Sequence, residues 1–455
     1  MNNDTICALA TPAGGAIAVI RISGPQALET LSHIYRPNSS QKSQLLANTI
    51  HYGTIQNTTG DIIDDVLVSI FRAPHSYTGE DSVEISCHGS RYIISKLLEL
   101  LILNGCRQAL PGEYTQRAYL NGKMDLSQAE AVADLIASTN AATHKMAMSQ
   151  LRGNFSSELG ILREQLLKMT SLLELELDFS DHEDLEFADR SELLELAKNI
   201  DNKIVRLSQS FEMGNAIKQG VPVAIIGKTN VGKSTLLNRL LHDDKAIVSS
   251  IHGTTRDVIE DTTIINGITF RFIDTAGIRN TTDEIERLGI ERTYQKLSEA
   301  VIVLWVIDEI PDGKGIKEII KQTAGKSLII IQNKIDKLPV FSNSVADYKH
   351  PVLAISAKYG QGIEALEDAI FKAANIPEIS ENDVIITSAR HYEALIQAHE
   401  TFLRVIDSLE NNLSGDLIAE DLRLVLSQLS EITGKGIITP NEVLGNIFKN
   451  FCVGK

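Results

Sequence analysis

The sequence is short of three things, and each shortage removes a class of protein. Cysteine is scarce: Cys7, Cys87, Cys106 and Cys452 are the four in 455 residues, too widely spaced for a metal-ligand set or a disulfide framework. Their usage suits a reducing cytoplasm. Long apolar runs are also missing, since none reaches the ~18 residues that a membrane span requires. The charge-free run over residues 5–20 resembles a signal-peptide core, but Asp4 precedes it where a basic residue is needed, and Pro12, Gly14 and Gly15 interrupt it. Positive charge is the third shortage. With 43 Lys and Arg against 59 Asp and Glu, the net charge is −16. That balance argues against a protein that grips nucleic acid through its own broad basic surface, while leaving room for a local patch or a basic partner.

What is present is the composition of a soluble globular protein, 43% hydrophobic and 22% charged, in a chain long enough for roughly two to four domains. Three textures follow one another. Residues 1–118 mix short β-like runs with turns, as in "GAIAVIRISG", "DDVLVSIFRAP" and "DSVEISCHGS". From residue 119 to about 215 the apolar spacing becomes helical, clearest in "LREQLLKMTSLLELELDF". The acidic stretch over residues 178–197 reads as a solvated loop and helix face before it reads as a metal or partner site. Residues 216–378 alternate strands with helices, the signature of a mostly parallel sheet with its ligand at the strand C-termini. Over residues 379–455 the helical texture returns. The expected fold class is therefore multidomain α/β and α+β: an N-terminal α+β domain, a helical domain in two parts, and a doubly wound Ras-like α/β domain inserted between them.

The inserted block carries the chemistry. "GKTNVGKST" (residues 227–235) satisfies G-x-x-x-x-G-K-[ST] through Gly227, Gly232, Lys233 and Ser234, after a strand-like "VPVAII" and before a helix-like "KSTLLNRLL". Backbone N–H groups of such a loop wrap phosphate oxygens, the Lys adds charge at the β/γ-phosphates, and the Ser hydroxyl ligates Mg²⁺. Chance supplies such a match in roughly 2% of chains of this length, so company matters. It comes as "DTAG", where Asp274 can hold Mg²⁺ through water and the Gly277 N–H can reach a γ-phosphate. "GTTRD" offers Thr254 and Thr255 to complete the Mg²⁺ shell. "NKID" places Asp336 to accept hydrogen bonds from N1–H and the 2-amino group of guanine, donors that adenine lacks there. Ser356, Ala357 and Lys358 close over the base. This set, in this order, resembles the translation-factor-related GTPases.

Two positions set it apart from Ras-like switches. Ile278 follows "DTAG" where a water-orienting Gln would stand, and no arginine finger can be assigned. Asn230, inside the phosphate loop, reads either as a side-chain ligand for a monovalent cation or as an ordinary exposed loop residue.

Four further segments carry a resemblance over the whole length. These are "LATPAGGAIAVIRISG" (9–24), "YTGEDSVEISCHG" (77–89), "PGEYTQRAYLNGKMDLSQAEAVADLI" (111–136) and the terminal "FCVGK" (451–455). With a GTPase block inserted between helical halves, the chain resembles the tRNA-modifying GTPases known as MnmE or TrmE. The resemblance implies an N-terminal domain with the folate-binding fold of the glycine-cleavage T protein, which drives homodimerisation. It implies a one-carbon tetrahydrofolate, in formyl or methylene form, held by Arg21, Glu84, Lys123 and Lys455. It also implies an FAD-containing partner, MnmG or GidA, in a heterotetramer, and tRNA as substrate. The implied product is an aminomethyl or carboxymethylaminomethyl group at C5 of the wobble uridine.

By the same resemblance, GTP contacts fall on Asn230, Val231, Gly232, Lys233, Ser234 and Thr235. Ser249, Ser250, Ile251, His252, Gly253, Thr254 and Thr255 follow in the next loop, then Asp274, Thr275, Ala276 and Gly277. Asn333, Lys334, Asp336, Ser356, Ala357 and Lys358 surround the base. Mg²⁺ is implied at Ser234 and Thr255, and K⁺ at Asn230, Ser249, Ile251 and Thr254. Lys233, Glu286 and Cys452 are implied in catalysis, Glu286 acting on the attacking water through a bridging water. As bare residues, Glu286 equally suits a helix surface and Cys452 a small packed hydrophobe. There are departures: CVGK stands for the usual CIGK, "GKTNVGKST" for "GRPNVGKSS", and Leu110 for the Arg that usually precedes "PGEYT", which bears on a local helix start or ligand contact. A ribosome-assembly GTPase of the Era or Der type is the alternative. Such proteins usually append a basic RNA-binding domain or a second GTPase block, and neither is seen here. A dimer scaffold that merely holds folate fits the intact nucleotide set less well.

Overall fold

The computed structural model describes residues 4–38, 46–178, 190–242, 261–273, 299–311, 313–337, 352–377, 379–380, 382–434 and 454. They fall into two compact units, each treated by itself. One comprises residues 1–137, 150–200 and 397–455; the other comprises 138–149 and 201–396.

The first unit opens with a seven-stranded sheet of order β3-β4-β5-β6-β2-β1-β7. Its strands are β1 (Thr5–Leu9), β2 (Ile17–Ser23), β3 (Tyr35–Pro37), β4 (Thr49–Gln56), β5 (Ile62–Phe71), β6 (Ser82–His88) and β7 (Cys106–Gln108). β5 shows why they form: Asp64, Val66, Val68 and Ile70 point inward while Asp65 and Leu67 point out, the period-2 pattern of a half-buried strand. One face carries the larger core, while on the other Ile6 and Ala8 pack with Ala109 and Tyr114. Two helices absent from the sequence reading, α1 (Ala27–Ile34) and α2 (Arg91–Leu103), lay Leu31, Ile34, Leu97 and Leu101 onto the sheet. The pairing of β2 with β6 sets Arg21 directly opposite Glu84.

Helices complete this unit: α3 (Glu113–Leu120), α4 (Leu126–Ala137) and α6 (Asn154–Asp178), with α12 (Gly415–Thr433) packed against α4 and α6. α12 buries Ile418, Leu422, Val425, Leu429 and Ile432 at three- and four-residue spacing. Gly434 ends it at φ 67, a left-handed cap that a side chain would strain. α5 (Ala141–Leu151), α7 (Arg190–Gln219) and α11 (Ala389–Glu410) each contribute residues to both units.

The second unit is the expected doubly wound domain. Its six-stranded sheet runs β13-β12-β11-β8-β10-β9. The strands are β8 (Val221–Ile226), β9 (Asp261–Ile265), β10 (Ile268–Phe272), β11 (Ile302–Ile307), β12 (Ser327–Gln332) and β13 (Val352–Ala354). All neighbours are parallel except β9 with β10. Helices cover both faces, which is why β11 and residues 328–331 of β12 are continuous apolar runs rather than alternating. α8 (Lys233–His242) and α10 (Ile363–Ala373) pack Leu236, Leu237, Leu240, Ile363 and Leu366 on one face. α9 (Gly313–Gln322) packs Ile316 on the other. Trp305 of β11, 7% exposed, lies between Ile226 and Ile330 of the flanking strands. Residues 138–149 belong to this unit: Ala142 and Met146 join its core, and the Asn140 amide donates to Thr269 Oγ1 at 2.7 Å. Among the described residues no helix is long and apolar enough to cross a membrane.

Candidate functional site

In the second unit, the ends of β8, β11 and β12 carry the polar motifs to one edge of the sheet. The loop after β8 is shaped by backbone conformation. Gly227 has φ 146, and a Cβ there would lie 2.2 Å from the Val306 carbonyl oxygen. Gly232 has φ 99, and its Cβ would lie 2.2 Å from the Asn333 amide nitrogen. Only glycine fits either position. Asn230 is exposed and itself left-handed at φ 62, a conformation that Asn tolerates better than most residues. Lys233 opens α8 and donates to the carbonyls of Gly227 and Lys228, each at 2.7 Å. Ser234 and Thr235 follow in the first turn, at a helix N-terminus whose dipole favours an anion.

Asn333, 3% exposed, stitches two loops together. Its Nδ2 donates to the Val231 carbonyl at 2.8 Å, and its Oδ1 accepts the Ala357 N–H at 3.0 Å. Lys334, at φ 65, pairs with Asp308 at 2.7 Å, a partner that the sequence reading did not name although β11 visibly ends there in "VID". Asp336 accepts from Ser356 Oγ at 2.7 Å, which orients a carboxylate that is otherwise exposed. Val231, Gly232, Lys233, Asn333, Asp336, Ser356 and Ala357 are thus brought together. Lys358 sits alongside, its ammonium 5.1 Å from the Tyr359 ring. Ser249, Ser250, Ile251, His252, Gly253, Thr254, Thr255, Asp274, Thr275, Ala276, Gly277, Ile278 and Glu286 lie outside the described residues.

A second constellation lies in the first unit. Arg21 donates Nε and Nη2 to the same oxygen, Oε1 of Glu84, at 2.9 and 2.8 Å. Its Nη1 donates to the carbonyl of Gly454 at 3.4 Å, so residues 433 positions apart meet. The guanidinium stands 5.5 Å from the Tyr77 ring centroid and 5.6 Å from that of Tyr114, in cation–π range of both. Tyr114 is fully buried and donates to the Arg21 carbonyl at 2.8 Å; burial pushes its phenol up. Lys123 donates to the Pro74 carbonyl at 3.0 Å, at the start of the loop that carries Tyr77. Gly454 has φ 99, and a Cβ there would lie 2.4 Å from the Leu9 carbonyl oxygen. Arg21, Glu84 and Lys123 therefore share one end of this unit with Gly454; Cys452 and Lys455 lie outside the described residues.

Beneath this group runs an ion network. Arg117, 7% exposed, reaches Asp4, Glu80 and Glu113, and Arg107 reaches Asp4 and Glu113. The Arg107 hydrogen bond holds the Asp4 carboxyl below its ordinary 3.8. Burial raises Glu113, yet bonds from Arg107, the Leu110 N–H and Arg117 bring it below its ordinary 4.5. The Leu110 contact, at 2.8 Å, comes from the backbone, so Leu in place of Arg leaves this start of α3 intact. Sequence reasoning missed Tyr77, Tyr114 and the Gly454 carbonyl as parts of the site. The available signal was an aromatic residue in each of the two quoted segments, "YTGED" and "GEYT".

Comparison with known proteins places both units in one context. A profile described as the MnmE helical domain matches residues 126–452, and one described as the GTP-binding protein TrmE N-terminus matches residues 5–123. The tRNA modification GTPase MnmE of Phocaeicola vulgatus is 54% identical, with 100% of this chain and 99% of that protein covered. Its counterpart in Bacteroides thetaiotaomicron is 56% identical, with 100% of both covered.

Proposed function

This chain belongs to the MnmE family of tRNA modification GTPases, and from that premise we propose how its two sites divide the work. The second unit hydrolyses GTP in a K⁺-dependent manner. The first holds a one-carbon tetrahydrofolate. Together with an FAD-containing partner, the protein adds an aminomethyl or carboxymethylaminomethyl group to C5 of the wobble uridine of certain tRNAs. It works in the cytoplasm as a homodimer, paired through the N-terminal domain.

The observation that carries the folate reading is the meeting of Arg21, Glu84 and the C-terminal Gly454. Both bonds from Arg21 fall on Oε1 of Glu84, which leaves Oε2 to accept from a pterin amide or amino group. Arg21 and Lys123 suit the carboxylates of a folate tail. For the nucleotide, Ser234 at the helix start would ligate Mg²⁺. Asn230 presents an exposed carbonyl-bearing side chain from the phosphate loop, where it would hold K⁺ with Ser249, Ile251 and Thr254. A cation there offsets charge developing on the phosphates, the contribution an arginine finger makes elsewhere. Lys233 and the loop N–H groups bind the phosphates, and Glu286 acts on the attacking water.

Two experiments test this. Expression in a strain lacking its own counterpart should restore modified wobble uridine, read by mass spectrometry; an unmodified pool would overturn the tRNA reading for this chain. Steady-state GTP hydrolysis should be faster in K⁺ than in Na⁺ at equal ionic strength, with Asn230→Ala losing most of the difference while still binding GTP. Equal wild-type rates in the two salts would remove K⁺ from the mechanism.

A further inference from the structure

Arg21 has an aromatic ring on either side, and the two rings differ in one respect. Tyr114 is fully buried, whereas Tyr77 is 37% exposed although its ring stands over the same guanidinium. Only Tyr77 can offer a face to a ligand.

An exposed tyrosine on a loop is ordinarily free to turn. Tyr77 is not. Its hydroxyl is 2.8 Å from Thr115 Oγ1, and burial around the phenol pushes its pKa up. The chain on both sides of it is tied down. Pro74 accepts from Lys123 at 3.0 Å, and the Thr78 carbonyl accepts from Asn121 at 2.8 Å. Thr78 Oγ1 meets Ser23 Oγ at 2.7 Å, and Ser23 in turn donates to Glu80, which is paired with the buried Arg117. A ring held at its hydroxyl, at its backbone and beneath a cation is a pre-organised surface, and pre-organisation lowers the ordering cost of binding.

We propose that Tyr77 is the stacking platform of this site, lying against the flat pyrimidinone half of the pterin while Glu84 accepts its N–H groups. The inference rests on the folate reading and adds to it a residue that selects for a planar ring. Arg21 polarises the ring from one side, and the ligand covers the exposed part. The chemical class is a fused heteroaromatic ring with adjacent donors and an anionic tail, which a simple dicarboxylate or a sugar phosphate does not match.

The probe is 5-formyltetrahydrofolate, titrated by calorimetry into the full-length protein. Removing one stacking ring weakens binding by about tenfold or more, so Tyr77→Leu should show that loss and Tyr77→Phe should stay within about threefold of wild type. Fragments locate the effect: 6-methyltetrahydropterin should lose affinity in Tyr77→Leu, whereas p-aminobenzoylglutamate should bind wild type and variant alike. A merely structural Tyr77 would weaken both fragments together. If Tyr77→Leu fails to fold, cross-relaxation between the bound pterin's ring methylene protons and the Tyr77 ring, measured on wild-type protein, decides the matter by its presence or absence. Tight binding to Tyr77→Leu alongside loss in Arg21→Ala overturns the stacking role and leaves the folate reading standing. No binding to wild-type protein overturns the folate reading and this inference with it.

Discussion

The two sites are built on opposite plans. The proposed nucleotide site is local: a nine-residue loop is its phosphate cradle and six further residues, Asn333, Lys334, Asp336, Ser356, Ala357 and Lys358, are its base end, all beyond the ends of parallel strands. The Arg21 site is assembled from β2, β6, a loop, α3 and a glycine next to the C-terminus, with 433 positions between Arg21 and Gly454. A local site depends on backbone conformation, so its weak points are glycines and single carboxylates. A dispersed site depends on the docking of one segment against another, so its weak point is the segment with the fewest other attachments.

Deleting residues 452–455 is the sharpest way to break the comparison. Modified wobble uridine should fall by at least ~100-fold, read by mass spectrometry, because lost positioning of a reacting group costs that much. GTP hydrolysis by the second unit should persist. Persistent modification would mean that the tail is no part of the site. Next in size is Asp336→Asn, which should weaken GTP binding by about 100-fold or more and favour xanthosine triphosphate, since a buried donor–acceptor mismatch is costly. A titration that found GTP affinity unchanged would remove Asp336 from base recognition.

Gly454→Ala probes the tail more gently. Its φ of 99 and the 2.4 Å approach to Leu9 leave no room for a methyl group, so the segment must shift away from Arg21. We expect roughly tenfold weaker binding of 5-formyltetrahydrofolate, a loss of one decade, with GTP affinity untouched. The smallest effect is acid sensitivity. Asp4 and Glu113 have folded-state pKa values lowered from 3.8 and 4.5, so their stabilisation is complete above about 4.5 and is lost as pH falls through the lowered values. Thermal unfolding followed between pH 7 and 3 should show the first unit weakening below pH 4.5 from this cause. Asp4→Asn should flatten that dependence, and an unchanged profile would show that the network contributes little.

This contrast also explains what was legible. Gly227, Gly232, Lys233 and Asp336 were readable because the backbone forces their spacing, and the sheet they sit on announces itself through apolar strands ending in polar motifs. Asp308 was missed because its partner Lys334 lies 26 positions away, in the loop after the next strand of the sheet. Arg21, Glu84 and Lys123 came from family resemblance alone. No local rule links them, and their proximity is created by the pairing of β2 with β6 and the docking of α3. Tyr77 and Tyr114 were hidden for the same reason. α1 and α2 were overlooked because their short runs sit between stronger strand patterns, and the sheet face they cover decides their structure. The departure at Leu110 looked consequential in sequence, yet it leaves the start of α3 intact, because Glu113 takes the backbone N–H there rather than a side chain.

One feature of the six-stranded sheet gives the chain an optical asymmetry. Trp305 is the sole tryptophan, buried between Ile226 and Ile330 at the middle of the second unit. Excited at wavelengths where tyrosine no longer absorbs, the protein emits from that unit alone, and the first unit is dark. Indole emission is then a label-free monitor of the sheet that holds the phosphate loop. Any change in that emission produced by a ligand at Arg21 would be a signal that had crossed from one unit to the other.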